Sequence, residues 1–343
     1  MFKFNKKIKF GNMVLSNSAP VCVIAEIGIN HNGKFSLAKK IIDEADKAGA
    51  DIVKFQTFTT EEFMSREKDT EAMYKMFKRF ELPYSWHRKL FDYCNKKGIQ
   101  FLSTPCDTKA VDLLLGIGIP ALKISSEDLI NINLLEYVAK KDCPVILSTG
   151  MADEQEIDTA VGIFKKHNNK NLVLLHCTSV YPTPEAEVNL NRMLSIANRY
   201  DILIGYSDHT SGFKAALGAT FMGAVIIEKH FTLSKKMKGP DHSFSSEPYE
   251  LKKLIKDIRI CERLKGCAGV EPSVSEKLKK LKYRRSIVAS VDLKSGTKLT
   301  EKHLAYKRPG NGFKPIEKYK VIGRRLVESV REDEQILSSN LKR

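Results

Sequence analysis

The chain has 343 residues, 42% of them hydrophobic and 29% charged, with a formal net charge of +16. This length exceeds a single small domain and suits a barrel-sized domain of about 250 residues plus a smaller module. No apolar run approaches the roughly 18 residues that span a bilayer, which excludes a membrane-spanning helix and makes no membrane partner the expectation. In chain order, Phe2–Leu15 is a short lead that predicts a hairpin closing the bottom of the larger domain. Eight short, β-branched runs bounded by polar residues then predict strands at Val21–Ala25, Asp51–Phe55, Gln100–Ser103, Ala121–Ile124, Val145–Ser148, Leu172–His176, Ile202–Gly205 and Ala224–Glu228. Helix-period stretches such as Ser36–Ala48, Ser85–Lys97 and Glu154–His167 lie between them, with Ser36 and Asp107 as N-caps. Eight β-α repeats in one run predict an α/β fold, a closed (β/α)8 barrel rather than an open sheet.

The pattern changes after Glu250. A long helix, Glu250–Leu264, ends at Gly266, which is placed for a left-handed C-cap. The predicted organisation is a barrel over 1–265, a linker with a charged helix over 266–284, and a turn-rich β module over 285–343. The module is built from Ile287–Val291, a turn at Gly296, Leu299–Leu304, the KRPGNG loop at 307–312, and Leu326–Val327. It is near the lower size limit for a self-sufficient core, so it is expected to dock on something.

The basic balance invites a nucleic-acid partner. The lysines, however, are spread along the helical stretches, and the one dense run, Lys277–Arg285, carries no groove-reading or base-stacking motif. A Lys-rich surface and no nucleic acid is the expectation, with a field that draws in a small polyanion as the functional alternative. Met1–Phe10 is basic, but no apolar stretch with a cleavage site comes after it, so no signal peptide is expected. Seven cysteines without a CxxC pair argue against a disulfide framework or zinc ribbon. Cys22 and Cys177 lie in apolar runs as small buried hydrophobes, and a reducing cytoplasm is the simplest compartment.

Ligands of parallel α/β proteins gather at the C-terminal ends of strands, so the strand ends carry the functional reading. The first emits Glu26, followed by Asn30, His31 and Asn32; such a carboxylate can orient a hydroxyl or act as a base, or simply pair with a lysine. Lys54 and Lys123 sit inside apolar strands, where a lysine is costly unless it is paired or binds an anion. Around them come Ser103-Thr104, Ser125-Ser126, Ser148-Thr149, and Thr178-Ser179 with Tyr181. Any one hydroxyl would pass as a turn residue. Repeated strand after strand beside two inward lysines, they suit phosphate and carboxylate together. His209 and His230 end adjacent strands, and two imidazoles there can hold a divalent metal with coordination positions left open. Asp241, in the GPD turn before His242, can reach the metal or a sugar hydroxyl, and His176 has a supporting role. His87, His167 and His303 read as surface residues, and Cys177 as a buried thiol.

Together these segments resemble the sialic acid synthase family of nonulosonate synthases. The resemblance is carried by EIGINHNG (26–33), KFQTF (54–58), LSTP (102–105), LKISSED (122–128), ILSTGM (146–151), LHCTSVYPTP (175–184), GYSDHT (205–210), IEKHFT (227–232), GPDHSFS (239–245) and KRPGNG (307–312), in order over nearly the whole chain. It implies a TIM barrel followed by a small antifreeze-like (SAF, β-clip) domain, in a swapped homodimer whose small domain caps the partner's barrel. It implies an enzyme that condenses phosphoenolpyruvate with an N-acylated mannosamine-type sugar and releases phosphate by C–O cleavage. By position, His209 and His230 match the Mn²⁺ ligands. Lys54, Lys123, Ser126, Ser148, Ser179 and Ser207 match phosphoenolpyruvate-binding positions. Glu26, Tyr181 and Asp241 match residues near the metal, water and sugar, and Arg308 matches the arginine that reaches across the dimer to the N-acyl group. KFQTF and GPDHSFS depart from the KHQTH-like and GPDIVCS-like segments of the N-acetylneuraminate branch, and the GPDHSFSSEP stretch looks more like broader nonulosonate or legionaminate-type synthases, so the resemblance implies an N-acetylneuraminate or a legionaminate synthase. Pseudaminate-type members, which lack the GPD turn, match less well. The rival readings are a deoxy-octulosonate or heptulosonate phosphate synthase, for which the second anion site and the KRPGNG module have no counterpart, and a non-catalytic carbohydrate-binding barrel.

Overall fold

The computed structural model describes residues 2–266 and 269–342. The chain divides into two compact units, Met1–Gly266 and Cys267–Arg343.

The first unit opens with antiparallel strands β1 (Lys7–Phe10) and β2 (Met13–Ser16), joined at Gly11, whose φ of 60° suits a residue without a side chain. Strand alternation turns Lys7 and Lys9 to solvent and buries Ile8 and Phe10. With Leu15, these two pack against Ile24, Ile52, Ile146, Val173 and Leu203, which lie towards the N-terminal ends of the parallel strands. The expected hairpin therefore forms and stops that end of the barrel.

The barrel comprises β3 (Cys22–Gly28), α1 (Phe35–Ala48), β4 (Ile52–Thr57), α2 (Thr60–Phe63), α3 (Glu71–Phe80), α4 (Tyr84–Lys97), β5 (Gln100–Pro105), α5 (Thr108–Ile117), β6 (Leu122–Ile124), α6 (Ile132–Ala139), β7 (Val145–Ser148), α7 (Glu154–Lys166), β8 (Leu172–His176), α8 (Leu190–Tyr200), β9 (Leu203–Asp208), α9 (Lys214–Phe221), β10 (Ile226–His230) and α10 (Pro248–Lys265). The parallel strands pair in the order β5-β4-β3-β10-β9-β8-β7-β6, and the end strands β5 and β6 lie alongside each other, so the sheet nearly closes into a TIM-like barrel. Strands covered on both faces need no polar side, which is why they read as near-continuous apolar runs. The helices bury one stripe each. On α1 the spacing of Ala38, Ile41, Ile42, Ala45 and Ala48 makes that stripe, and Gly49 ends the helix at φ 90° while its N–H reaches the Ala45 and Asp46 carbonyls.

Asp107 caps α5 as expected, its carboxylate accepting from the Ala110 amide at 2.7 Å. Asp107→Ala is expected to cost about 1 kcal/mol of stability, read as a lower urea midpoint at unchanged slope. Ser36 is not a cap: α1 starts at Phe35, Lys34 occupies the cap position, and no side chain serves it. Gly266 has φ 58° but ψ −146°, outside the left-handed helical region, so α10 ends without the expected cap. The segment between β4 and α4 holds α2 and α3, which the β-α cadence does not require. His87 is not on the surface. It is buried on the inner face of α4 and hydrogen-bonds Thr57 Oγ1 at 2.7 Å.

The second unit contains α11 (Val274–Tyr283), started by a reciprocal Ser273–Glu276 capping box, and the antiparallel pair β11 (Ser286–Ala289) and β12 (Leu304–Lys307). Leu299–Leu304 is not a continuous strand; a 3₁₀ turn at Glu301–His303 precedes β12. Ile287, Leu293, Leu299, Val321, Leu326 and Ile336 form a core within this unit. The Gly310 amide donates to the Leu281 carbonyl at 2.7 Å, tying α11 to the loop after β12. No helix among the described residues is long and apolar enough to cross a membrane.

Candidate active site

At the open end of the barrel, where the parallel strands finish, lies a cavity of about 280 Å³. Glu26, Lys54, Lys123, Ser126, Ser148, Ser179, Tyr181, Ser207, His209 and His230 all line it. Asp241 stands just behind, its Oδ2 3.9 Å from His230 Nδ1. Arg308 belongs to the second unit, on the loop after β12, where its guanidinium lies 5.5 Å over the Tyr283 ring.

Strand alternation explains the gathering: Lys54 and Gln56 of β4, and Glu228 and His230 of β10, point inward at intervals of two. The Lys54 ammonium sits 3.0 Å from Glu26, 3.5 Å from Glu228 and 3.2 Å from Thr104 Oγ1. The Lys123 ammonium donates to Ser148 Oγ at 2.6 Å and to the Ile124 carbonyl at 3.0 Å. Burial alone would neutralise such lysines. For Lys54 the Glu228 and Glu26 carboxylates outweigh it and raise the pKa, whereas for Lys123 burial prevails and lowers it. The two acids separate as well. Burial pushes Glu26 up to about 8 despite Lys54, while at Glu228 the Lys123 and Lys54 charges and the Ser207 hydroxyl overcome burial and hold the carboxyl at about 2. The two neighbouring carboxyls are thus pushed in opposite directions, the division that lets such acids take different roles.

Glu228 was not among the expected site residues. It accepts from Ser207 Oγ at 2.8 Å and faces both lysines. The signal that finds it is period two: if His230 faces inward, so does the residue two before it. Phe58 and Phe63 add an apolar wall to the cavity, their rings 5.3 Å apart.

The imidazoles of His209 and His230 have ring centroids 5.6 Å apart, and the Tyr181 ring lies 4.2 Å from that of His209. His209 Nδ1 is 2.7 Å from the Thr178 carbonyl, which can only accept, so Nδ1 carries the proton and Nε2 the lone pair. Ser207, 3.3 Å from that Nε2, commits its only proton to Glu228. Burial pushes both imidazoles below their usual range, favouring the neutral form that binds metals. His230 Nδ1 is buried without a hydrogen-bond partner. This donor set fits a divalent cation held at an open site. Among the described residues no group of three or more His, Cys, Asp or Glu is assembled for a metal, so further ligands would have to be water or substrate oxygens. His176 is buried and bonds the Val188 carbonyl at 2.8 Å, away from the cavity lining. Cys177 is a free buried thiol 3.1 Å from Ser126 Oγ, and burial raises its pKa, which does not suit a nucleophile.

Comparison with known proteins places this geometry in context. The NeuB family matches residues 41–269, and the SAF domain matches residues 284–342. The chain is 40% identical over 327 residues to the N,N'-diacetyllegionaminic acid synthase of Campylobacter jejuni, covering 92% of this chain and 98% of that protein. It is 34% identical to the human N-acetylneuraminate-9-phosphate synthase, over 93% of this chain and 92% of that one. Among solved structures, an N-acetylneuraminic acid (sialic acid) synthetase from Leptospira borgpetersenii in complex with citrate superposes with a TM-score of 0.76 at 38% identity, over 81% of this chain and 96% of that one.

Proposed function

The chain belongs to the NeuB family and carries a SAF domain, and from that premise we propose that it condenses phosphoenolpyruvate with an N-acylated mannosamine-type sugar, releasing phosphate by C–O cleavage. It is an enzyme of the sialic, legionaminic and pseudaminic acid synthase family. The observation that carries the reading is one cavity holding two buried lysines, a ring of serines and two metal-ready imidazoles. Lys54 and Lys123 balance the charge of an enol phosphate, and Ser126, Ser148 and Ser179 supply directional donors to its phosphate and carboxylate oxygens, while Ser207 acts beside them through its bond to Glu228. A divalent cation at His209 and His230, Mn²⁺ in this proposal, would polarise the aldehyde of the open-chain sugar as a Lewis acid. C3 of phosphoenolpyruvate forms the new bond to the aldehyde carbon, whose oxygen takes up a proton. Water adds to the electron-poor C2 and loses a proton, and the C2–O bond to phosphate then breaks to leave the 2-keto acid. Glu26, protonated near neutrality, presents a hydrogen-bond donor to the water or the sugar oxygen, while ionised Glu228 stabilises positive charge beside it. Tyr181 and Asp241 flank the sugar. Exclusion of bulk water, which a capping small domain of the partner would supply, favours addition to the sugar over hydrolysis of the enol phosphate.

Within the family, a legionaminate-type sugar is the proposed substrate. The higher identity to the legionaminic acid synthase, the KFQTF segment and the Phe58–Phe63 wall favour the more apolar 2,4-diacetamido-2,4,6-trideoxymannose over N-acetylmannosamine. The test is phosphate release from phosphoenolpyruvate with Mn²⁺ and each sugar in turn; release with neither, under conditions where phosphoenolpyruvate binds, would reject the reading. In the proposed swapped homodimer, Arg308 of one protomer meets the N-acyl group in its partner's barrel. Arg308→Ala is then expected to raise KM for the sugar about tenfold while leaving KM for phosphoenolpyruvate nearly unchanged, and the reverse split in steady-state kinetics would remove the role.

A further inference from the structure

Immediately behind the two histidines lies a buried ion pair that the proposed chemistry does not use. Asp208 and Lys229 are 1% and 2% exposed and face each other in register across β9 and β10. Lys229 is covalently next to His230. Its ammonium donates to Asp208 Oδ2 at 3.1 Å and to the Thr210 carbonyl at 2.6 Å. Asp208 and Thr210 are the two neighbours of His209. Asp208 Oδ1 also accepts from the Thr210 amide at 2.9 Å and from its hydroxyl at 2.7 Å, closing the backbone around His209 into a tight turn. One side chain on the His230 strand therefore grips both flanks of His209.

Neither Asp208 nor Lys229 lines the cavity, so neither is a substrate contact. A buried pair of this kind is a weak source of stability, since well-packed apolar residues often serve as well. What apolar residues could not supply is a directional tie between the two imidazole-bearing segments. We propose that Lys229 is a positioning residue: through Asp208 and the Thr210 carbonyl it fixes the spacing of His209 and His230 for a divalent cation. The inference rests on the assignment of a metal to His209 and His230 and adds to it the residue that presets the site. Partners that orient metal ligands from behind typically contribute 10–100-fold in affinity, far more than a filler residue would.

The experiment is titration of metal-free protein with Mn²⁺, followed by the electron paramagnetic resonance signal of the free ion, with no turnover required. Wild type is compared with Lys229→Met and with the double variant Asp208→Asn/Lys229→Met. The double variant removes the carboxylate that the single change would strand, so it remains readable if the single variant folds poorly. Mn²⁺ affinity is expected to fall about 10–100-fold in both, while metal-free binding of phosphoenolpyruvate stays at the wild-type level. Wild-type Mn²⁺ affinity in either folded variant would overturn the positioning role and leave the metal reading standing. A wild-type protein that binds no Mn²⁺ would overturn both.

Discussion

Lys54→Met is expected to lower kcat/KM for phosphoenolpyruvate by about 10²–10³-fold, the usual scale for removing one preorganised charge from a water-poor site. Lys54 is 4% exposed and is the cation shared by Glu26 and Glu228, so its loss does more than weaken an anion site. It leaves the ionised Glu228 facing Glu26 across a gap that the ammonium had filled. Removing one of the two ammonium groups that balance Glu228, with Lys123 and the Ser207 hydroxyl left facing it, costs up to about 3–5 kcal/mol. Activity and stability should therefore fall together in the single variant and separate in Lys54→Met/Glu228→Gln, where most of the stability returns and the activity does not. Steady-state kinetics and urea unfolding on the same preparations check both halves. Near-normal kcat/KM in Lys54→Met would mean that the anion lies elsewhere in the barrel.

His209→Ala is expected to remove metal-dependent turnover, by about 10³-fold or more, and to abolish tight Mn²⁺ binding in the metal-free protein. Only two imidazoles face this cavity and no third ligand of similar kind stands with them among the described residues, so losing one leaves a single nitrogen. His230→Ala should behave alike, and the double variant should be little worse than either, because residues that act as one unit do not add. The Thr178 carbonyl would lose its bond from His209 Nδ1 and keep only the longer one from the Thr183 hydroxyl at 3.2 Å, a small structural cost separable from catalysis by melting the variant. Full activity in His209→Ala would remove the metal assignment.

The barrel and most of the cavity were legible because the two signals involved are strong. Apolar runs at regular spacing marked the strands, and charged or hydroxyl residues at their ends had no structural reason to recur. Glu228 escaped because β10 is covered on both faces: in IIEKH three polar residues stand side by side, and hydrophobic alternation cannot say which faces in. Lys229 and Asp208 were hidden for the same reason, since a buried pair on the outer face of a strand is indistinguishable in sequence from a site charge. The helix α3 carries Met73, Met76, Phe77 and Phe80 at helical spacing, yet it lies outside the one-strand, one-helix rhythm of the rest of the barrel. His87 looked exposed among Arg88 and Lys89. Its place on the stripe with Leu90 and Cys94 puts it inside. Ser36 failed as a cap because the helix begins one residue earlier, a boundary that local chemistry did not mark. The role of Arg308 came from family resemblance alone, since nothing near it in the sequence distinguishes it from the many other surface cations.

The stopper made by β1 and β2 gives the barrel a single doorway. Ile8, Phe10 and Leu15 fill the opposite end, so no ligand can pass through from one side to the other. Whatever enters and whatever leaves must share the same passage, and what sits nearest the rim holds back what lies beneath it. In such a dead-ended well, order of arrival and order of departure become properties of the architecture: under the proposed condensation, a sugar bound nearer the rim would detain the enol phosphate beneath it, and the product would have to clear before the next enol phosphate could descend.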